Sequence, residues 1–284
     1  MAKLSDIPFG AVRQVVDGAR AAENSRRSCV RVSIELEEGA PSELVCPLRD
    51  ALMPQAVTGL VHVEVVRPGA PVRVNPDCDL AIVVAGTSGI AAEVSRAFTS
   101  MAVPCAIVVE TSVEAPEPHE VSGAALIAAT SPEAMLEKLA TWMAEACHAD
   151  IALATNFPFV RHAVSLACVS RRCAQNAAIS ILPLSGGAEM PLLTANQALM
   201  ALDVAGAHGR GANAERVADI AFVVASAFAC RGIARYLSKN LPGLGFLVRP
   251  AVAFGGTAAV GRALIARFEA EKAWKARQQP HFCR

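Results

Sequence analysis

The chain has 284 residues, 53% of them hydrophobic and 18% charged, and its 26 Lys+Arg balance 26 Asp+Glu. That length buries a sizeable core in one large or two ordinary domains. A mean hydropathy of +0.38 keeps a membrane surface or a large buried interface open, but the longest uncharged run, 173–188, is too short and too polar for a spanning helix of about 20 apolar residues.

The charge is split along the chain. Residues 1–148 carry 11 Lys+Arg against 19 Asp+Glu, and residues 149–284 carry 15 against 7. This predicts two domains, 1–148 and 149–284, with the basic half facing an acidic partner, an anionic lipid surface or the acidic half itself. The opening MAKLSDIPFG has no apolar core and no small-residue cleavage site, so the chain reads as cytoplasmic or peripheral to the inner face of the membrane. The nine cysteines form no CxxC pair and read as small buried hydrophobes. Cys168 and Cys173 lack further thiolate-site ligands at suitable spacing.

In chain order, 9–22 has helical apolar spacing, and CVRVSIEL (29–36) alternates as a strand. SELVCPLRDAL (42–52) reads as a helix capped by Ser42 and kinked at Pro47. LVHVEVV (60–66) is a strand, and DLAIVVAG (79–86) is a continuous apolar run suited to a central parallel strand. A helix at 90–101, strands at 104–110 and 124–130, and a helix capped by Ser131 with Pro132 in its first turn complete this half. Leu136, Leu139, Met143 and Cys147 form the last helix's apolar stripe. Strands alternating with helices predict a parallel sheet with helices on both faces.

From residue 151 the alternation stops. Phe159, Ala163, Leu166 and Val169, then Val217, Ile220, Val224 and Phe228, recur at helical spacing, and Asn213 is placed to cap the second of these helices. Glycine-rich breaks at 186–187, 207–211, 240–245 and 254–257 predict five or six helices packed through Ala and Gly. The stretch 177–202 becomes two short buried helices around an elbow, and the last helix turns or bends at Gly255-Gly256. Thr194 and Gln197 lie one turn apart and share a helix face, facing the interior or a partner.

Ligands of such a sheet bind beyond the strand carboxyl ends. The candidate ligand loops are therefore Gly86, Thr87, Ser88 and Gly89, and Glu110, Thr111 and Ser112. GTSGI is not a GxSxG nucleophile elbow and reads as a turn. Six histidines form no metal or catalytic pattern. Basic residues near the C-terminus are diluted by Glu269 and Glu271, which argues against a nucleic-acid partner.

The order of elements over roughly 28–147 resembles a small Ras- or Era-like GTPase domain. That resemblance implies a phosphate loop GxxxxGK[ST] after the first strand. ELEEGAPSELV stands there, without lysine and crowded by Glu35, Glu37 and Glu38. VRPG (66–69) replaces the magnesium-linked D-x-x-G turn, ETSV (110–113) replaces the guanine-reading N-K-x-D, and Ala128-Ala129 replaces the Ser-Ala pair. A GTPase-like scaffold without GTP hydrolysis, or an unrelated doubly wound domain, fits these substitutions.

A second resemblance covers roughly 150–270. Pro191, Leu192, Leu193, Thr194, Gln197 and Met200, then Leu241, Pro242 and Gly243, then Ala253, Phe254, Thr257 and Gly261 are similar to the bacterial helical domain-of-unknown-function family six-nine-seven. That family accompanies Era-like GTPase domains, and some members are membrane proteins. Its usual Asp before Pro-Leu-Leu is replaced here by Glu189. Together these readings predict a non-enzymatic regulatory or scaffold protein. It would need no metal and no cofactor, and would dock on a protein partner or an anionic membrane surface or self-associate. The alternatives are a small-ligand binder or enzyme using the strand-end loops, and a helical domain that inserts into lipid.

Overall fold

The computed structural model describes residues 17, 20–21, 23–111, 121, 123–181, 189–210 and 245–278. Two compact units emerge, Ser25–Val164 and the combination of Met1–Asn24 with Ser165–Arg284. The first is a parallel sheet flanked by helices, and the described part of the second is helical, as the sequence patterns imply.

The sheet contains β1 (Val30–Glu37), β2 (Gly59–Val66), β3 (Leu80–Val84), β4 (Cys105–Val109) and β5 (Ala125–Ala128), in the order β2-β1-β3-β4-β5. Every pairing is parallel. β3 and β4 are buried at every residue. This is why they read as unbroken apolar runs rather than alternating ones. The order is the flavodoxin-like doubly wound one, with its switch point between β1 and β3.

Right-handed crossovers decide which face each helix covers. β1 connects to β2 on one side through α1 (Ser42–Ala51), whereas β3 connects to β4 on the other through α2 (Ala91–Ser100). The two helices therefore lie on opposite faces. Val94 and Phe98 of α2 cluster with Val66, Ala81, Val83, Ile107 and Val109. The opposite face carries Val32, Ile34, Leu80, Ile82 and Val108, all buried, and α3 (Pro132–Ala146) touches α1 there.

Several local expectations shift. Pro41, not Ser42, is the cap residue of α1, and no side chain caps it; the Ser42 hydroxyl donates to Glu43 instead. Ser131 does cap α3, accepting from the Ala134 N–H at 3.2 Å. The buried stripe of α3 runs through Met135, Leu139, Ala140 and Met143, with Leu136 only half-buried.

The α/β unit continues through α4 (Asp150–Asn156) and a 3-10 turn at Pro158–Val160. Asn156 explains this extension past residue 148. It is fully buried, its side-chain amide donates to Thr58 Oγ1 and Ala152 O at 3.0 Å each, and its backbone carbonyl accepts from Gln55 N.

In the helical unit, α5 (Arg161–Ile181), α6 (Glu189–Ala207) and α7 (Gly245–Gln278) surround a core of Val169, Cys173, Met200, Val204, Leu264, Ile265 and Phe268. Of the expected stripe Val169 is buried, Phe159 and Ala163 are half-buried and Leu166 is exposed, while Val160, Val164 and Cys168 are buried beside it. Helices stand on both sides of the expected elbow, whose residues 182–188 lie outside the described residues, as do Asn213, 217–228 and most of 9–22. α7 passes through Gly255-Gly256 as continuous helix, so the expected break does not occur. Gly256 is half-buried and Gly255 exposed.

Gly261 does different work from Gly255. A Cβ there would come within 2.6 Å of both Val169 methyl groups and 3.2 Å of Met200 Sδ, whereas Gly255 faces open space. Val169 is stiff at χ1 and cannot easily give way. Gly261→Ala is therefore expected to lower stability by about 1–3 kcal/mol through overpacking, despite alanine's better helix propensity. Gly255→Ala is expected to raise it by about 0.5–1 kcal/mol. Urea denaturation of the two variants checks this; equal effects of the same sign would contradict the packing argument.

Candidate functional site

The switch point places the ends of β1 and β3 side by side, where a doubly wound sheet binds its ligand. Two loops meet there, 38–41 after β1 and 85–90 after β3. Successive backbone N–H groups in such a loop form a concave anion site. That site is filled by the chain itself. Glu37, the last residue of β1, is 2% exposed. Its Oε2 accepts from the Gly86 N–H at 2.9 Å, and its Oε1 accepts from the Ser88 hydroxyl at 2.7 Å and the Ile90 N–H at 3.2 Å.

The loops also close on each other directly. Thr87 N donates to Glu38 O at 3.2 Å. A Cβ on Gly86 would lie 2.5 Å from Glu38 O and 2.8 Å from Ala40 N. Gly39, at φ +81°, sits where a side chain would strike the Thr87 hydroxyl. These glycines let the two backbones touch.

Two carboxylates on the same strand face have opposite electrostatics. For Glu37, burial is the largest single influence and raises the carboxyl. The bonds from Gly86, Ser88, Ile90 and Gly89 together outweigh it and hold the group below its ordinary 4.5. Glu35 is also buried but has only the Ser33 hydroxyl as a donor, at 2.7 Å. Burial dominates there and lifts it above 4.5, with Glu64 adding to the rise.

Burial pushes the Cys105 thiol up to about 12 and the Cys147 thiol up to about 11. Among the described residues no group of three or more His, Cys, Asp or Glu is arranged to hold a metal ion.

A second polar cluster lies inside the helical unit. Thr257 of α7 is fully buried; its hydroxyl accepts from Asn176 Nδ2 of α5 at 2.8 Å and Gln197 Nε2 of α6 at 3.3 Å, and donates to Ala253 O at 2.7 Å. Asn196 Nδ2 donates to Asn176 Oδ1 at 2.7 Å. Arg172 then links Asn196 to Asp203, whose carboxylate it meets at 2.7 Å. One threonine hydroxyl thus joins three helices.

No protein-family model, no curated protein and no solved structure matches the chain.

The sequence-derived residues fall into three groups. Gly86, Ser88 and Gly89 meet at Glu37, and Thr87 packs on Gly39. Glu110 is exposed and Thr111 half-buried after β4, outside that cluster, and Ser112 lies outside the described residues. In the helical unit Gln197, Thr257 and Gly261 meet at the α5–α6–α7 core. Thr194 is half-buried and Pro191 half-buried at the start of α6, Glu189 begins that helix, and Pro242 and Gly243 lie outside the described residues. Sequence reasoning treated Glu37 as one of several repelling charges and missed its role as the occupant. The available signal was its parity with Ser33 and Glu35, which turns it toward the β3 loop. Asn176, Asn196 and Asp203 were missed as well, though Arg172 and Asn176 stand one turn apart on one face of their helix.

Glu37→Gln is expected to lower stability by about 1.5–3 kcal/mol, because its NH₂ would face N–H donors and break charge-assisted bonds. The pH dependence separates the two acids. Glu37, with a lowered folded value, stabilises fully above pH 4.5 and loses this as pH falls below it. Glu35, with a raised value, opposes folding at neutral pH and ceases to do so below 4.5. Urea midpoints across pH are thus expected to show Glu35→Gln gaining stability at neutral pH, with the gain vanishing toward 4.5, and the Glu37→Gln deficit shrinking only below that pH. A separate set of melts tests the helical cluster. Thr257→Val, which strands two buried amide groups, is expected to lose about 1–3 kcal/mol, and Thr257→Ser to lose much less.

Proposed function

We propose that this chain is a non-enzymatic scaffold or docking protein, built from a GTPase-like α/β unit that no longer takes a nucleotide and a helical unit that docks on an anionic membrane surface. One observation carries the first half: the Glu37 carboxylate stands at the carboxyl end of β1, where a GTPase phosphate loop would begin, and takes the Gly86 and Ile90 N–H groups of the facing loop, so an incoming anion meets a negative charge. Phosphoryl transfer depends on cationic and N–H stabilisation at that place. Kinship with Era-like GTPases and with helical family six-nine-seven belongs to the same reading. It rests on the sequence resemblances; the sheet order itself is the flavodoxin-like one.

The membrane half draws on α7. Its segment Pro250–Trp274 is long and apolar enough to cross a membrane by length and composition, and about a third of it (33%) is buried. Leu264, Ile265 and Phe268 pack inward, while Arg262, Arg277 and Trp274 are exposed. A helix with an aromatic and basic outer face suits the headgroup region of an anionic bilayer.

Thermal unfolding with magnesium and GTP, GDP or ATP is expected to leave the melting temperature unmoved. A magnesium-dependent rise with GTP would refute the closed-crevice reading. In vesicle flotation, the protein is expected to rise with phosphatidylserine-containing vesicles and not with neutral ones. Arg262→Glu combined with Arg277→Glu is expected to weaken this about ten-fold or more. Equal flotation of both proteins would rule out docking through α7.

A further inference from the structure

The sheet has two edges, and they differ. β5 has four residues, whereas β2 has eight in unbroken one-to-one register with β1. Among the described residues β2 pairs with no other strand. Natural sheets blunt such an edge with Pro, Lys, a bulge or shortness. GLVHVEVV has none of these. It also exposes aliphatic side chains on both faces: Leu60 is 49% exposed, Val63 53% and Val65 54%. An open, long, flat and aliphatic edge is a template for another strand.

The side chains of β2 specify which strand. In antiparallel pairing of two identical strands, opposed residues share a face, so only registers centred on a residue are allowed. Centring on His62 or Glu64 sets a like pair against itself. Centring on Val63 opposes His62 to Glu64 twice, Val61 to Val65 twice, and Leu60 to Val66 twice. His62 and Glu64 already lie on one face, with Nε2 and Oε2 3.6 Å apart, and both reach solvent. In its own reverse β2 thus sets imidazole against carboxylate and aliphatic residues against one another.

We propose that two copies of this chain join through β2, in antiparallel register about a two-fold axis at Val63, so that each sheet continues into its neighbour's. The interface is isologous, the commonest form of homodimer. It does not depend on nucleotide or membrane binding.

Light scattering on the full chain is expected to give a mass twice 29.6 kDa. Val63→Lys opposes two ammonium groups on the axis and is expected to weaken the dimer about ten-fold or more, with unchanged circular dichroism. His62→Glu is expected to weaken it too, and His62→Glu with Glu64→Lys to restore it. In a background lacking the exposed Cys29 and Cys46, Val63→Cys is expected to cross-link to itself on mild oxidation. Directly opposed residues sit about 4.5–5.5 Å apart at Cα, inside disulfide range. A native chain that stays monomeric at every concentration overturns the proposal. So does a dimer that survives Val63→Lys, a double charge swap that folds without restoring the dimer, or a Val63→Cys protein that cross-links no more than its parent.

Discussion

The carboxylate of Glu37 is the constraint on which the ligand end of the sheet depends. A β3 loop that presents several N–H groups to one point needs an anion there, because unpaired buried donors are costly. In a ligand-binding doubly wound domain a phosphate or cofactor meets that need. Here the last residue of β1 meets it, and the consequences spread outward. The two loops approach until glycine is required at Gly39 and Gly86. The crevice between them is lined by this carboxylate. It is a built contact, and the same bonds that fill it hold β1 and β3 together at their carboxyl ends.

The helical unit solves a related problem. Its helices are rich in Ala and Gly and approach closely, so any polar group facing inward must find a partner on a neighbouring helix. Thr257 supplies it, taking both an asparagine and a glutamine and returning its own proton to the helix backbone. A hydroxyl with two acceptor sites and one donor is fully used by this arrangement. Gly261 lies one turn further along the same helix and brings Val169 and Met200 into contact with it. Polar matching and small-residue packing therefore occupy adjacent turns of α7. This accounts for the spacing of Thr257 and Gly261 without invoking a ligand.

The sequence patterns were most legible where one physical signal dominated. β3 and β4 read as buried strands because both faces of the sheet are covered, and α3 was announced by Ser131 and Pro132. The patterns failed where tertiary contacts decided. Residues 149–164 looked like the start of the helical half, since α4 is helical, but Asn156 ties them to Thr58 across the chain. Gly255-Gly256 looked like a break because glycine weakens helices, yet α7 packing carries the helix through. Glu37 was legible as a charge and illegible as a ligand. Apart from the Ser88 hydroxyl, its partners are backbone N–H groups some fifty residues away, and backbone groups leave no mark in composition.

Several polar groups of this hydropathic chain are turned inward. Glu37, Asn156, Asn176, Asn196, Gln197 and Thr257 are all buried and bonded within their own unit, so they contribute little to the wetted surface. Meanwhile aliphatic residues of β2 and the aromatic residues Phe254 and Trp274 of α7 stand in solvent. Isolated exposed hydrophobes are ordinary, but a run along an unpaired strand is not. Polar groups are thus turned inward, while apolar groups are turned outward along the β2 edge and on α7.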